Sequence, residues 1–492
     1  MSGKNSDIPK SVMVTAWILV LGAMAPLLDS TMVNIAIHTL VKDLNSSVEI
    51  VQWTITGYVL ATGIAVPFSS WLLNKFDGKH VFLMGEILFA IGSVLSAISP
   101  NINFLIGARL IQGFAGGLII PILTTLLVQT AGQKVMGQMM ATVGLPMILG
   151  PLLGPIFGGV IIKYLSWHWI FWVNIPVGII SIILIIWKMP HYPAQNKTAK
   201  MDLTGIILLA TATTAIIYGI VKASSAANFL NQKTLLFVGI GLALIFLYII
   251  WSLKMKETVV LPLKLFSHNS FNGSIIGLFI AGTVLNGAML LLPLFFQDIR
   301  NMSVMAAGLA LIPQGIGMLI SRPLTGKLTD RIGAKYVVFG SLLITFIGTL
   351  PFYWIDATTS YWIIAAILFI RGIGAGGILM PLMTDTYTGM EKAEIPAASI
   401  GSRIVQNIGS AFGSALISTL VTAYVNSNVV SFKHNLAVNK FHGSPAYVKI
   451  FLQHHLELIK VNSFQYGFLI ISIAALLTAI PAMLLTNRFG KK

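Results

Sequence analysis

The chain reads Gly326-Lys-Leu-Thr-Asp330-Arg331-Ile-Gly333-Ala-Lys335, and 256 residues earlier it carries a weaker copy, Ser70-Trp-Leu-Leu-Asn74-Lys75-Phe-Asp77-Gly-Lys79. A second pair repeats at an offset of 260: Gly116-Gly117-Leu-Ile-Ile-Pro121 against Gly376-Gly377-Ile-Leu-Met-Pro381, each preceded in its span by an arginine, Arg109 or Arg371. Around these anchors the chain is strongly apolar. Of 492 residues 56% are hydrophobic and only 9% charged, where a soluble protein carries roughly 25% charge. With a mean hydropathy of +0.86, the solvent for most of this surface is lipid.

Apolar runs bounded by charge or turn clusters predict about fourteen membrane helices, near 12–37, 48–73, 80–99, 103–131, 136–163, 167–188, 202–222, 233–253, 271–296, 304–329, 335–354, 361–388, 396–426 and 464–487. Each is near the roughly 20 residues that span a bilayer. The first run is too long for a signal-peptide core and reads as a retained helix. Six spans fill about 188 residues, so offsets of 256–260 leave room for two extra helices at 202–253. The expected domains are a six-helix bundle at 1–188, two inserted helices with flanking loops at 189–270, and a second bundle at 271–492 with an external loop at 427–463. Repeated halves around a central site are the physical design of a secondary transporter.

The net charge of +16 comes from 31 Lys and Arg against 15 Asp and Glu. These basic residues punctuate apolar spans rather than forming one stripe, which argues against nucleic acid. With the N-terminus inside, eighteen fall on the cytoplasmic side, nine outside and four within spans. That bias predicts cytoplasmic N- and C-termini in the cell membrane. The chain has no cysteine, which removes thiolate chemistry. Neither a phosphate-binding Gly-x4-Gly-Lys-[Ser/Thr] loop nor a His-Glu-x-x-His or Gly-x-Ser-x-Gly motif occurs, so an ATP-driven pump and a membrane enzyme are both disfavoured. The histidines of 427–463 lack paired zinc spacing, and no metal or cofactor is expected.

Five stretches carry a resemblance. Leu28-Asp29-Ser-Thr31-Met-Val-Asn34-Ile-Ala lies in the first span, and Arg109-Leu-Ile-Gln112-Gly113 and the Gly326–Lys335 loop follow as described. Gly144-Leu-Pro146-Met-Ile-Leu-Gly150-Pro151-Leu-Leu-Gly154-Pro155-Ile-Phe-Gly158-Gly159 occupies the fifth span, and Trp167-His-Trp169-Ile-Phe171-Trp-Val-Asn174-Ile-Pro176-Val-Gly178 opens the sixth. Together they resemble the major facilitator superfamily, and within it the fourteen-span drug:proton antiporters, across essentially the whole chain. The resemblance implies an all-α polytopic fold of two six-helix bundles plus two central helices. It also implies proton-coupled export of lipophilic, often cationic compounds by a monomer whose partners are a small molecule, protons and the bilayer. A transporter of one specific metabolite is the alternative, because a fold does not decide a function. Four positions depart from the pattern: Asn74 stands where the loop copy usually has Asp, Asp77 where it has Gly, His168 where an Arg separates the tryptophans, and Val405 where an Arg precedes Gln406, with Arg403 two positions earlier. The first two predict a weaker N-terminal latch, and restoring Asp at position 74 is expected to shift the balance of states.

Asp29 is an acid in an otherwise uncharged span, where an ionised carboxylate costs roughly 2.5–3.5 kcal/mol. It needs a proton or a partner. Arg109, the only Lys or Arg away from the ends of the first half's spans, is the expected partner, and the pair is the candidate proton-coupling site. Gly150, Gly154 and Gly158 recur every four residues on one helix face and predict close backbone approach. Pro146, Pro151 and Pro155 bend that helix, which is expected to seal against the opposite half. Asp330, Arg331 and Lys335, turned by Gly333, predict an interlock that forms in one state and breaks in the other. Glu86 and Asp385 are the other acids away from the ends of their spans and the candidates for attracting a cationic substrate.

Overall fold

The computed structural model describes residues 9–131, 139, 150, 154, 157–194, 200–255, 259–391, 393–438 and 445–487. Thirteen helices among them are long and apolar enough to cross a membrane, and no strand occurs among the described residues. They are α1 Lys10–Ala36, α2 Trp53–Lys75, α3 Gly78–Ala97, α4 Ile102–Thr130, α5 Trp169–Lys188, α6 Leu203–Ala226, α7 Gln232–Met255, α8 Asn269–Ile299, α9 Met305–Ile332, α10 Ala334–Trp354, α11 Tyr361–Thr386, α12 Ile395–Phe432 and α13 His454–Ala482. All match expected spans. The remaining one, 136–163, lies mostly outside the described residues, with Gly144, Pro146, Pro151 and Pro155 among those not described. Only helices can satisfy their own backbone in lipid, and many of their large apolar side chains, such as Ile179, Leu242, Phe246 and Ile320, face outward.

The segment 427–463 differs from expectation. Instead of a long loop, one helix continues to Val438 and the next begins at Pro445. Hydropathy marks where a helix leaves lipid, not where it stops being a helix, and Asn426, Ser427, Asn428 and Lys433 end the apolar run without a glycine or proline to end the coil.

The repeat is visible as matched packing. In the first half α2 lies on α4, and in the second α9 lies on α11. Gly113 and Gly117 face the Tyr58 and Thr62 backbones of α2, while Gly372 and Gly376 face the Gln314 and Met318 backbones of α9. A side chain at any of these glycines would push the helices apart. The copies diverge at one point: the first runs as an unbroken helix, Ile102–Ala131, while the second breaks between Gly376 and Leu379.

The inserted pair packs asymmetrically. α6 touches α2 of one half and α12 of the other, through Val66, Ile206, Leu209, Ile400 and Ile404. α7 lies on α6 and is otherwise largely exposed. Asp202 fastens the pair: it caps α6 at Gly205 N (2.8 Å), accepts from Trp251 Nε1 of α7 (2.9 Å) and accepts from Val260 N beyond it (3.2 Å).

Candidate functional site

Asp29 and Arg109 meet. They form a buried ion pair, Arg109 Nη1 to Asp29 Oδ2, with side chains 0% and 1% exposed. Around it, each of the five described spans of the first half supplies a polar group. Gln112, one turn beyond Arg109 on α4, donates from Nε2 to Asp29 Oδ1 (3.1 Å) and to Ser93 Oγ of α3 (2.8 Å). Asn174 at the start of α5 also donates to Asp29 Oδ1 (3.1 Å). Arg109 Nε donates to the Thr54 carbonyl of α2 (3.1 Å) and Nη1 to Gln112 Oε1 (2.6 Å). Its guanidinium lies 4.2 Å from the centre of the Tyr58 ring, and the Tyr58 hydroxyl donates to the Pro26 carbonyl of α1 (3.4 Å). Three donors on a carboxyl that donates nothing is the hydrogen-bonding pattern of an ionised carboxylate. In low dielectric such a closed network holds its members firmly, and an orphaned member is costly.

Gln112 and Asn174 stand in the stretches that carry the resemblance but were given no part in the site, and Ser93, Thr54 and Tyr58 were not singled out from sequence. The available signal was spacing: Gln112 shares a helix face with Arg109 three residues away, and Asn174 is an amide in an apolar run.

Gly150, Gly154 and Gly158 do not meet the second half here. They line α1, facing Leu27, Leu28, Thr31 and Met32, with Thr31 Oγ1 donating to the Gly150 carbonyl (3.4 Å). Without Cβ atoms these three glycines let the backbone at their positions come close enough to hold the turn of α1 that carries Asp29. A Gly154→Leu change must displace α1 at Thr31; expected is at least a tenfold loss of transport with membrane insertion retained, scored by dye efflux against surface-labelled protein.

At the end of the bundle that holds both copies of the repeated loop, the halves use matched contacts. Lys79 Nζ donates to the Ile186 carbonyl at the end of α5 (2.9 Å), and Lys335 Nζ to the Met483 carbonyl just past α13 (3.2 Å). Gly333 turns the chain at φ +88°, a conformation that favours glycine. Arg331 is exposed beside it and Asp330 half-buried. Asp77 takes an N-cap role, accepting from Lys79 N (2.9 Å), and its other oxygen lies 3.3 Å from His191 Nδ1. With His80 these form a cluster of possible metal ligands, which the sequence spacing did not reveal. Asn74 is half-buried.

Asp385 lies on α11 of the second half and Glu86 on α3 of the first. Asp385 accepts from the Thr486 backbone N–H (3.0 Å) and from its hydroxyl, tying the end of α11 to the chain beyond α13. Asp385→Ala leaves that N–H without its acceptor, and thermal unfolding in detergent should show a loss of about 1–3 kcal/mol. Glu86 is 2% exposed on α3, against Gly22 of α1. In the second half Arg322 and Arg371 are buried with guanidinium nitrogens lacking acceptors, Arg371 reaching only Gln314 (2.7 Å), and Arg403 reaches Gln406 (2.7 Å). No acid pairs with them among the described residues. His168 stacks on Trp167 at 3.7 Å, and burial pulls its imidazole below the ordinary histidine value. A cleft of about 360 Å³ between α8, α12 and α13, bordered by Asp298 and Lys460, does not reach the Asp29 network.

Two repeated helical halves, with a buried ion pair at the centre of one, define a multi-pass membrane transporter. The Major Facilitator Superfamily description matches residues 19–414, and the chain belongs to that family. It is 32% identical over 434 residues to the multidrug resistance protein B homolog of Mycobacterium tuberculosis, covering 87% of this chain and 80% of that one. It is 30% identical over 407 residues to the lincomycin resistance protein LmrB of Bacillus subtilis, covering 82% and 84%. Among solved structures, the human organic anion transporter MFSD10 (TETRAN) superposes with a TM-score of 0.62 at 13% identity, over 96% of this chain and 100% of that one. The proton:xylose symporter XylE gives 0.61 at 14%, over 96% and 95%. At such identities these two speak to the fold alone.

Proposed function

We propose that the protein is a proton-coupled antiporter that exports lipophilic, cationic compounds across the cytoplasmic membrane by alternating access. The observation that carries this reading is the Asp29 carboxylate, buried and held by Arg109, Gln112 and Asn174. Binding a proton requires the Arg109 guanidinium to draw back, because a neutral carboxyl no longer balances a buried cation. Withdrawal frees the bonds to Gln112 and Thr54, so one proton loosens α4 from α1 and α2. In the reverse step the returning cation expels the proton. The glycine face of the fifth span passes this motion along α1, and the loops around Asp77 and Gly333, on the cytoplasmic side, lock or release the halves.

The drug-resistance names of the relatives support the substrate class. Asp385 serves as an anchor for the chain end, and cation attraction falls to carboxylates exposed in other states. The test is a panel of fluorescent cations and neutral drugs in proteoliposomes under an imposed pH gradient. Gradient-driven uptake of several chemically unrelated dyes is expected; movement of one metabolite alone would replace this reading with that of a specific carrier.

A further inference from the structure

We propose that Glu86 is a second proton-carrying carboxyl of the transport cycle, stationed between the Asp29 network and the cytoplasm; this rests on the proton-coupled reading above. Gly22 precedes Asp29 by seven residues on α1, and Glu86 precedes Ser93, which is bonded to Gln112, by seven on α3. Seven residues are two helical turns, about 10 Å, and return to nearly the same face. Glu86 packs against Gly22, so it stands two turns directly below the ion pair, toward the end that carries the repeated loops.

Its surroundings decide its form. Phe82 and Gly22 crowd the carboxyl, Ile119 of α4 lies against Gly85 one residue away, and Ser181 of α5 faces it. No Lys, Arg or His forms an ion pair with Glu86 among the described residues. Glu86 Oε1 and Ser181 Oγ are both buried without a hydrogen-bond partner. A bare carboxylate with an unserved oxygen does not persist in such a place, whereas a carboxylic acid needs no counter-ion. Arg109 performs that service for Asp29, and Glu86 has no equivalent. The unserved pair of oxygens marks where a water molecule enters. Discharge breaks the Glu86 O–H bond, and the proton leaves on that water toward the cytoplasm.

Infrared spectroscopy of the purified full chain in phospholipid nanodiscs tests this without a substrate. The C=O stretch of a protonated carboxyl should be present at neutral pH in the natural protein and in Asp29→Asn, absent in Glu86→Gln, and lost as the medium is made alkaline. An unchanged band in Glu86→Gln overturns the proposal. So does a band that persists until the protein unfolds, since that describes a locked acid. In proteoliposomes carrying ethidium and a pH dye, Glu86→Gln should halve the protons moved per ethidium, and an unchanged ratio also overturns it. If Asp29→Asn retains gradient-driven transport, the reading of Asp29 fails while the infrared result on Glu86 stands.

Discussion

Asp29→Asn is expected to reduce pH-gradient-driven dye uptake by about 100-fold or more while leaving folded protein in the membrane. The magnitude follows from what the site forgoes. An intramembrane carboxylate carries a cost of roughly 2.5–3.5 kcal/mol, and each 1.4 kcal/mol is tenfold in an equilibrium. On the proposed mechanism that difference is the lever by which proton binding would bias the two states, and asparagine cannot bind the proton. The fold should survive because Asn keeps the shape, its oxygen can accept from Arg109, Asn174 can reverse its amide to meet the new N–H₂, and Gln112, which loses its bond to position 29, keeps those to Ser93 and Arg109. Uptake in reconstituted vesicles at equal protein density is the measurement; a rate equal to the natural protein's would remove Asp29 from coupling.

Arg109→Ala attacks the other side of the pair and should be worse for the protein. It strands a buried carboxylate, a defect of about 3–5 kcal/mol, and strips the Thr54 carbonyl, Gln112 and the Tyr58 ring of their shared cation. Little folded protein is expected, scored by size-exclusion profile and thermal unfolding in detergent. Adding Asp29→Asn should recover much of the lost stability, since the charge that needed Arg109 is then gone; coupling of this kind is the mark of one network. If the two changes simply add, the pair is not an energetic unit. Arg109→Lys is not a mild control, because a point charge cannot reach Thr54, Gln112 and Asp29 together as a planar fork does.

The spans were legible because lipid imposes one requirement, a long apolar helix, and leaves it written in composition. The Asp29–Arg109 partnership was legible for the converse reason: a lone acid and a lone base in apolar spans have to answer one another. Gln112, Asn174 and Ser93 were harder to read, since a neutral polar residue in a membrane helix can bond its own backbone as readily as a distant carboxylate. The partner of the glycine face was not legible at all. A four-residue repeat says that something approaches closely, but α1 and the opposite half satisfy that condition equally well until the helices are placed. The same holds for 427–463, where polarity announced the end of the membrane and the helix simply went on, and for His80 and His191, which only the turn around Asp77 brings together.

The inserted pair has an implication for how cargo arrives. Because α6 is seated on α2 and α12 at once, it covers the seam between the halves along one flank, and α7 thickens that wall. On the proposed reading, a compound dissolved in the bilayer meets a closed wall on that side and has to reach the interior from another.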